Sequence, residues 1–165
     1  MIFKRGTSWL ALVFLTLLAA CASYVVRPAR ISAPRTEASE ALAALPSPVP
    51  VQVAHIVDGD TFHVFVTLRT GERVRAPVRI RGLDTPEIHG ACDREVQAAR
   101  EASQALRELL ASGEVLLSEI SSDKYERVLA RVQVRQNGVM RDVADVMVQT
   151  GYGRVYEGRK RTGWC

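Results

Sequence analysis

Cysteine, aromatic side chains, long apolar runs and charge of one sign are all scarce in this 165-residue chain. Three cysteines are too few for a disulfide-dense scaffold, and they are not spaced as a zinc site. No collagen-like period, heptad array or internal repeat is present, which excludes fibrous, coiled-coil and solenoid architectures. What remains is 47% apolar, 24% charged and 6% aromatic, the balance of a soluble globular domain. The length allows one ordinary domain. A net charge of +4 suggests an anionic partner, but residues 1–48 supply five Lys/Arg against two acids. The other residues carry 17 basic and 16 acidic side chains, so local placement has to identify the partner.

The one long apolar run lies at the N-terminus. Lys4 and Arg5 precede Trp9–Ala20, broken only by Thr16, which is the pattern of an export signal over residues 1–21. Three readings stay open. Leu18-Ala19-Ala20-Cys21 resembles a bacterial lipobox and implies lipidation of Cys21. Ala20-Cys21-Ala22 also suits an ordinary signal-peptide cleavage site that releases a soluble protein. Apolar character resumes through Val26, close to the length of a single membrane-spanning anchor, although Arg27 just beyond disfavours it. All three place the rest of the chain outside the cytoplasm. Residues 22–50 are rich in Pro, Ala and Ser, which predicts a flexible tether. A helix over Thr36–Leu45 is locally plausible but has nothing obvious to pack on.

Residues 51–165 read as the folded domain. Val51–Val57, Phe62–Leu68 and Val74–Leu83 are predicted strands of a meander, separated by Asp58-Gly59-Asp60 and Thr70-Gly71-Glu72. Asp93–Ala111 changes period, with Val96, Ala99, Ala102, Leu106, Leu109 and Leu110 on one helical stripe ended by Ser112-Gly113. Val115–Ile120 and Arg127–Arg135 are two more strands, and Asp142–Thr150 is a short helix. A mainly β domain is expected: a partly open, five-stranded OB-fold barrel with a helix after strand 3 and a short C-terminal helix. A small α+β sandwich is the alternative.

Three segments carry most of the reactive groups: Val57–Thr61, Arg79–Glu87 and Asp123–Arg127. Asp60 starts one strand and Asp84 ends another, so a meander can bring both carboxylates to one hard-cation site. Glu87 follows Pro86, whose fixed φ aims the chain. Arg79 and Arg127 are forks suited to phosphate. A cation, a nearby carboxylate and two guanidiniums are what phosphodiester hydrolysis requires.

The segments VDGDT, RIRGLDTPE and DKYERVLA together resemble the signatures of the staphylococcal nuclease (thermonuclease-like) family, over about Val51–Tyr156. The resemblance implies an OB-fold Ca²⁺-dependent nuclease of an exported bacterial type, acting on DNA and RNA and leaving 3′-phosphates. By motif position, Asp60 and Asp84 would bind Ca²⁺ through carboxylates and Thr85 through its carbonyl. Glu87 takes the general-base position and Arg79 and Arg127 the scissile phosphate. Tyr125 and Tyr156 correspond to the tyrosines of the nucleotide pocket. The sequence departs from the family in three places. Glu126 and Val128 stand beside Arg127 where glycines are common, and Glu126 is a rival partner for Arg127. Ile88–Cys92 replaces a lysine-rich loop, and the long C-terminal helix is missing, as in exported bacterial relatives.

Several residues are assigned to plainer roles. Arg81, His55, His63 and His89 read as surface or packing residues, and Asp123-Lys124 as turn formers. Arg154, Arg159, Lys160 and Arg161 form a basic tail that can rim a phosphate site. With Cys21 lipidated, Cys92 and Cys165 remain as an even pair in an oxidising compartment, and a disulfide between them is expected. The competing function is a membrane-tethered barrel that binds nucleic acid or protein without cutting. Retention of Asp60, Asp84, Glu87, Arg79 and Arg127 argues for the enzyme, and a monomer is expected.

Overall fold

In the computed structural model, residues 35–158 and 162–165 are described. The predicted leader and Cys21 lie outside them, as do residues 22–34 of the expected tether. Among the described residues no helix is long and apolar enough to cross a membrane.

Alternation builds the first three strands. In β1 (Val49–Ile56), β2 (Thr61–Thr67) and β3 (Arg73–Ile80), Phe62, Val64, Val66, Val74, Ala76 and Val78 all point inward and are buried. The chain then makes β4 (Leu83–Asp84), α2 (Asp93–Ala111), β5 (Glu114–Ser122) and β6 (Val128–Gln136). It ends with β7 (Val139–Asp142), α3 (Val143–Gln149) and β8 (Arg154–Val155). The sheet order is β3-β2-β1-β5-β6-β7, and a further β3–β6 pairing closes it. Five strands therefore form a closed barrel, with β7 continuing beyond it as a hairpin partner of β6. The closing pair is parallel, with Val78 opposite Val128 and Arg79 opposite Leu129.

The segment expected to run as one strand over Val74–Leu83 is broken after Ile80. Gly82 takes φ +79°, a left-handed conformation that redirects the chain into β4. There it pairs with β8, Leu83 opposite Val155 and Asp84 opposite Arg154. Helix α2 buries the predicted stripe through Ala99, Ala102, Leu106, Leu109 and Leu110, with Asp93 and Glu95 at its positive end. Helix α3 is capped by Asp142, whose carboxylate accepts from the Asp145 amide at 3.2 Å.

The expected tether needs correcting over its C-terminal half. Arg35–Ala43 is a helix, α1, and β1 already begins at Val49. Ala38 and Leu42, one helical turn apart, are only 1% and 2% exposed and join the main core. They pack against β2, β3 and β5, while the Ser122 hydroxyl donates to Ser39 Oγ at 3.0 Å. The helix has no long apolar run, so its partner is visible only once the barrel has an end for it to cover. Burying Leu42 alone contributes about 2 kcal/mol.

Candidate active site

The β1–β2 turn sets the first carboxylate. Asp58 Oδ1 accepts from the Asp60 amide at 3.0 Å, and the Val57 and Asp58 amides donate to the Thr61 carbonyl. Gly59 lies against α2, where an added Cβ would stand 2.7 Å from Ala102 Cβ and 2.8 Å from Thr85 Oγ1. That close approach turns Asp60 inward, where it is 2% exposed. Its Oδ1 accepts from the Thr61 hydroxyl at 2.9 Å and pairs with Arg79 Nη1, and Oδ2 accepts from the Thr85 amide at 3.3 Å. Arg79, itself 5% exposed, also donates to the Leu83 carbonyl at 2.9 Å.

The second carboxylate arrives on β4. Asp84 is 1% exposed and directly precedes Thr85, so the two aspartates are near neighbours. Arg154 on β8 reaches Asp84 Oδ2 with Nε at 2.9 Å and Nη2 at 2.8 Å. The Arg154 guanidinium also donates to the carbonyls of Thr162 and Gly163 and lies 4.1 Å from the Trp164 ring centroid. The tail that carries these groups is held at its end. Cys92 and Cys165 are joined by a disulfide with Cα atoms 6.1 Å apart, and Arg94 donates to the Trp164 and Cys165 carbonyls at 2.9 Å each. Glu95 is close to both sulfurs, but these are bonded to each other and offer no thiolate to a metal.

The turn leading into β6, which begins at Val128 and not at Arg127 as expected, delivers the other arginine. Asp123 Oδ1 accepts from the amides of Tyr125 and Arg127 at 2.8 and 2.9 Å. Its Oδ2 accepts from Arg127 Nε at 2.8 Å and Nη2 at 2.7 Å. Burial opposes ionisation of Asp123, yet these bonds from Arg127 and Tyr125 hold its carboxyl below the usual range. The partner of Arg127 is thus Asp123 and not Glu126, which is exposed with φ +59°. The turn holds Glu126 in a left-handed conformation that glycine adopts without steric cost.

Arg79 and Arg127 line one cleft of about 680 Å³, together with Gly82, Tyr125 and Tyr156. The parallel β3–β6 pairing brings them there. Burial pushes the Asp58 carboxyl above its ordinary range against the attraction of Arg79 and, more weakly, Arg127, so both guanidiniums act on the same carboxylate. Tyr125 is 58% exposed, with the Arg127 guanidinium 5.3 Å from its ring centroid. The Tyr156 amide donates to the Gly82 carbonyl at 2.9 Å, which fixes that residue beside the cleft. Asp60, Asp84 and Thr85 are on the buried side of Arg79 and do not line the cleft. Glu87 does not line it either. It follows buried Pro86 into the β4–α2 loop, exposed, with its amide 3.5 Å from Glu95 Oε1.

Two residues have partners that the sequence reading did not assign. Asp123, read as a turn former, holds Arg127, and its one usable signal was the four-residue spacing across a tight turn. Arg154, read as part of a basic rim, pairs with Asp84, and nothing local signals a partner 70 residues away. Arg81, assigned to the surface, ties β3 to β5 through the Glu119 carbonyl at 2.8 Å and Ser121 Oγ at 2.9 Å.

A closed five-stranded barrel with one arginine on β3 and another in the turn before β6, backed by two buried carboxylates, defines an OB-type protein with a guanidinium-lined cleft. The chain belongs to the staphylococcal nuclease homologue family, whose profile matches residues 77–163, just over half of its length. Among curated proteins it is similar to a "Probable endonuclease LCL3" of Meyerozyma guilliermondii, 30% identical over 66% of this chain and 55% of the relative. Proteins of the same description from Colletotrichum graminicola and Pyricularia oryzae are 28% and 32% identical. They match over 68% and 66% of this chain and 48% and 49% of their own. The chain thus spans about half the length of these fungal relatives.

Proposed function

We propose that the protein is a Ca²⁺-dependent endonuclease that hydrolyses phosphodiester bonds of DNA and RNA, acting as a monomer. The observation that carries this reading is the convergence of Arg79 and Arg127 on one cleft with Asp60 and Asp84 immediately behind. The Asp60 and Asp84 carboxylates and the Thr85 carbonyl are oxygen donors only, a set that fits a hard cation. When bound, Ca²⁺ would neutralise charge developing on the phosphoryl oxygens. Arg79 and Arg127 hold the scissile phosphate and stabilise the same charge. Glu87 accepts a proton from the attacking water, and Tyr125 and Tyr156 bracket the nucleotide. Export, with an anchor at Cys21 or through the apolar run, is supported by Lys4-Arg5 ahead of that run. The Cys92–Cys165 bond suits an oxidising compartment.

The pairing of Arg127 with Asp123 and of Arg154 with Asp84 favours a second reading, a barrel that binds nucleic acid without cutting it. One experiment separates the two: cleavage of single-stranded DNA and RNA by the full chain with Ca²⁺, with EDTA, and by Glu87→Gln. The nuclease reading expects cutting with Ca²⁺ alone, abolished by EDTA and lowered about 10²–10⁴-fold in the variant. Equal cutting in all three samples overturns it, and binding without cutting establishes the second reading.

A further inference from the structure

The outward face of the β1–β2–β3 meander continues from the cleft and has no role in the chemistry described so far. Arg73, Arg75 and Pro77 of β3 point away from the core, and strand alternation continues their row to Arg79, which is buried against Asp60 at the edge of the cleft. Alternate residues of a strand stand about 6.6 Å apart, which puts Arg75 about 13 Å and Arg73 about 20 Å along the barrel from the cleft arginine. The register sets Phe65 between Gln52 and Arg75, and His63 between His55 and Pro77. The two imidazole rings lie 6.3 Å apart. Arg73 folds over the Phe65 ring at 4.1 Å from its centroid and donates to Gln52 Oε1.

The strands β1, β2 and β3 contain no acidic residue, and the nearest in sequence to Arg73 is Glu72 in the turn before it. The outward arginines of β6 are instead paired by carboxylates from the strands on either side, Arg131 with Asp142 and Arg135 with Glu114. An arginine layered on an aromatic ring presents a flat cationic surface on which a nucleobase can stack, and its edge can reach phosphate. A basic row interleaved with planar side chains is how barrels of this size hold single strands without reading sequence.

We propose that this face is a binding track for single-stranded nucleic acid, in which Arg73 and Arg75 contact backbone phosphates and the Arg73–Phe65 layer stacks a base. The inference deepens the endonuclease reading and rests on it, because the track leads the strand into the cleft at Arg79. It makes the protein favour long, unpaired substrates over dinucleotides.

The test is fluorescence anisotropy of a labelled twelve-residue oligothymidylate with the full chain in EDTA, across a range of salt. Arg73→Gln/Arg75→Gln should weaken binding at least tenfold. It should also make the slope of log affinity against log salt shallower by about 1.4, the value for two lost phosphate contacts on a single strand. Arg73→Lys/Arg75→Lys should restore most of the affinity. Removing the same charge from α2 by Arg100→Gln/Arg107→Gln should leave it within about twofold, and cleavage of a thymidine dinucleotide by the β3 variant should stay at the wild-type rate. If the double glutamine variant folds poorly by circular dichroism, Arg75→Gln alone should still lose severalfold. Wild-type affinity in the β3 variants overturns the track, as does equal loss in the α2 variants. So does arginine-dependent binding to phosphatidylglycerol vesicles with none to the oligonucleotide. A wild-type protein that binds in this arginine-dependent way yet cuts nothing refutes the endonuclease reading and leaves the track standing.

Discussion

Arg79 on β3 and Arg127 in the turn leading into β6 face one cleft, yet the molecule holds them in different ways. The Arg79–Asp60 pair is nearly sealed, with side-chain exposures of 6% and 3%. The Arg127–Asp123 pair sits at a turn, with exposures of 23% and 13%. Inside the barrel end, each charge is tolerated only because the other is there, and losing one leaves the other buried without compensation. At the turn, water and salt can replace a missing partner. One arginine is therefore part of the framework as well as the site, and the other belongs to the site with little structural weight.

The sharpest way to break this contrast is to neutralise each arginine in turn. Arg79→Gln should lower cleavage about 10²–10³-fold and also destabilise the fold by about 3–5 kcal/mol, measured as a shift in the urea midpoint. Arg127→Gln should cost a similar factor in rate but only about 1 kcal/mol in stability. Equal midpoints for the two variants would erase the distinction between them.

A smaller effect follows from acid. The folded-state pKa of Asp123 lies below its unfolded value, so its ionised form stabilises the fold. That contribution is complete above the unfolded pKa of about 3.9 and disappears as pH falls through the folded value. Stability of wild type and Asp123→Asn should therefore differ by up to about 1 kcal/mol from about pH 5 upward and converge as pH falls through the depressed folded-state value. A gap that persists in acid would mean that the turn geometry, and not the carboxylate charge, is what Asp123 contributes. The smallest change is at Glu126. Its φ of +59° carries a strain that glycine avoids, partly offset by the greater freedom of glycine in the unfolded chain. Glu126→Gly should raise stability by about 0.5 kcal/mol, or one to two degrees in a thermal melt. A fall in melting temperature would show that Glu126 makes a contact worth more than the strain.

The legible parts of the fold were those whose signal is periodic and local. The alternation of Phe62, Val64 and Val66 against His63 and Phe65 marks β2, and the stripe from Ala99 to Leu110 marks α2 to the residue. The short elements were not legible. β4 and β8 are two residues each, too brief for any period, and exist because Gly82 redirects the chain and Gly153 allows a close approach. An added Cβ at Gly153 would stand 2.6 Å from Leu83 Cδ1. Helix α1 was visible as a possibility but not as a packed element, because two small faces of Ala38 and Leu42 do not announce what they cover.

By itself, the order of residues determined which groups stand out as candidates for the site: two aspartates at strand ends, a glutamate after a proline, and two arginines. Those assignments depend on residue type and local spacing, which a linear chain carries in full. Asp123 meets Arg127 within a single turn, but the other partnerships of the site were decided only by the tertiary structure. The parallel joining of β3 to β6 put Arg79 beside Arg127, and the β4–β8 pairing set Arg154 on Asp84 across 70 positions. The physical reason is that electrostatic partnership falls off with distance in space and is blind to distance along the chain.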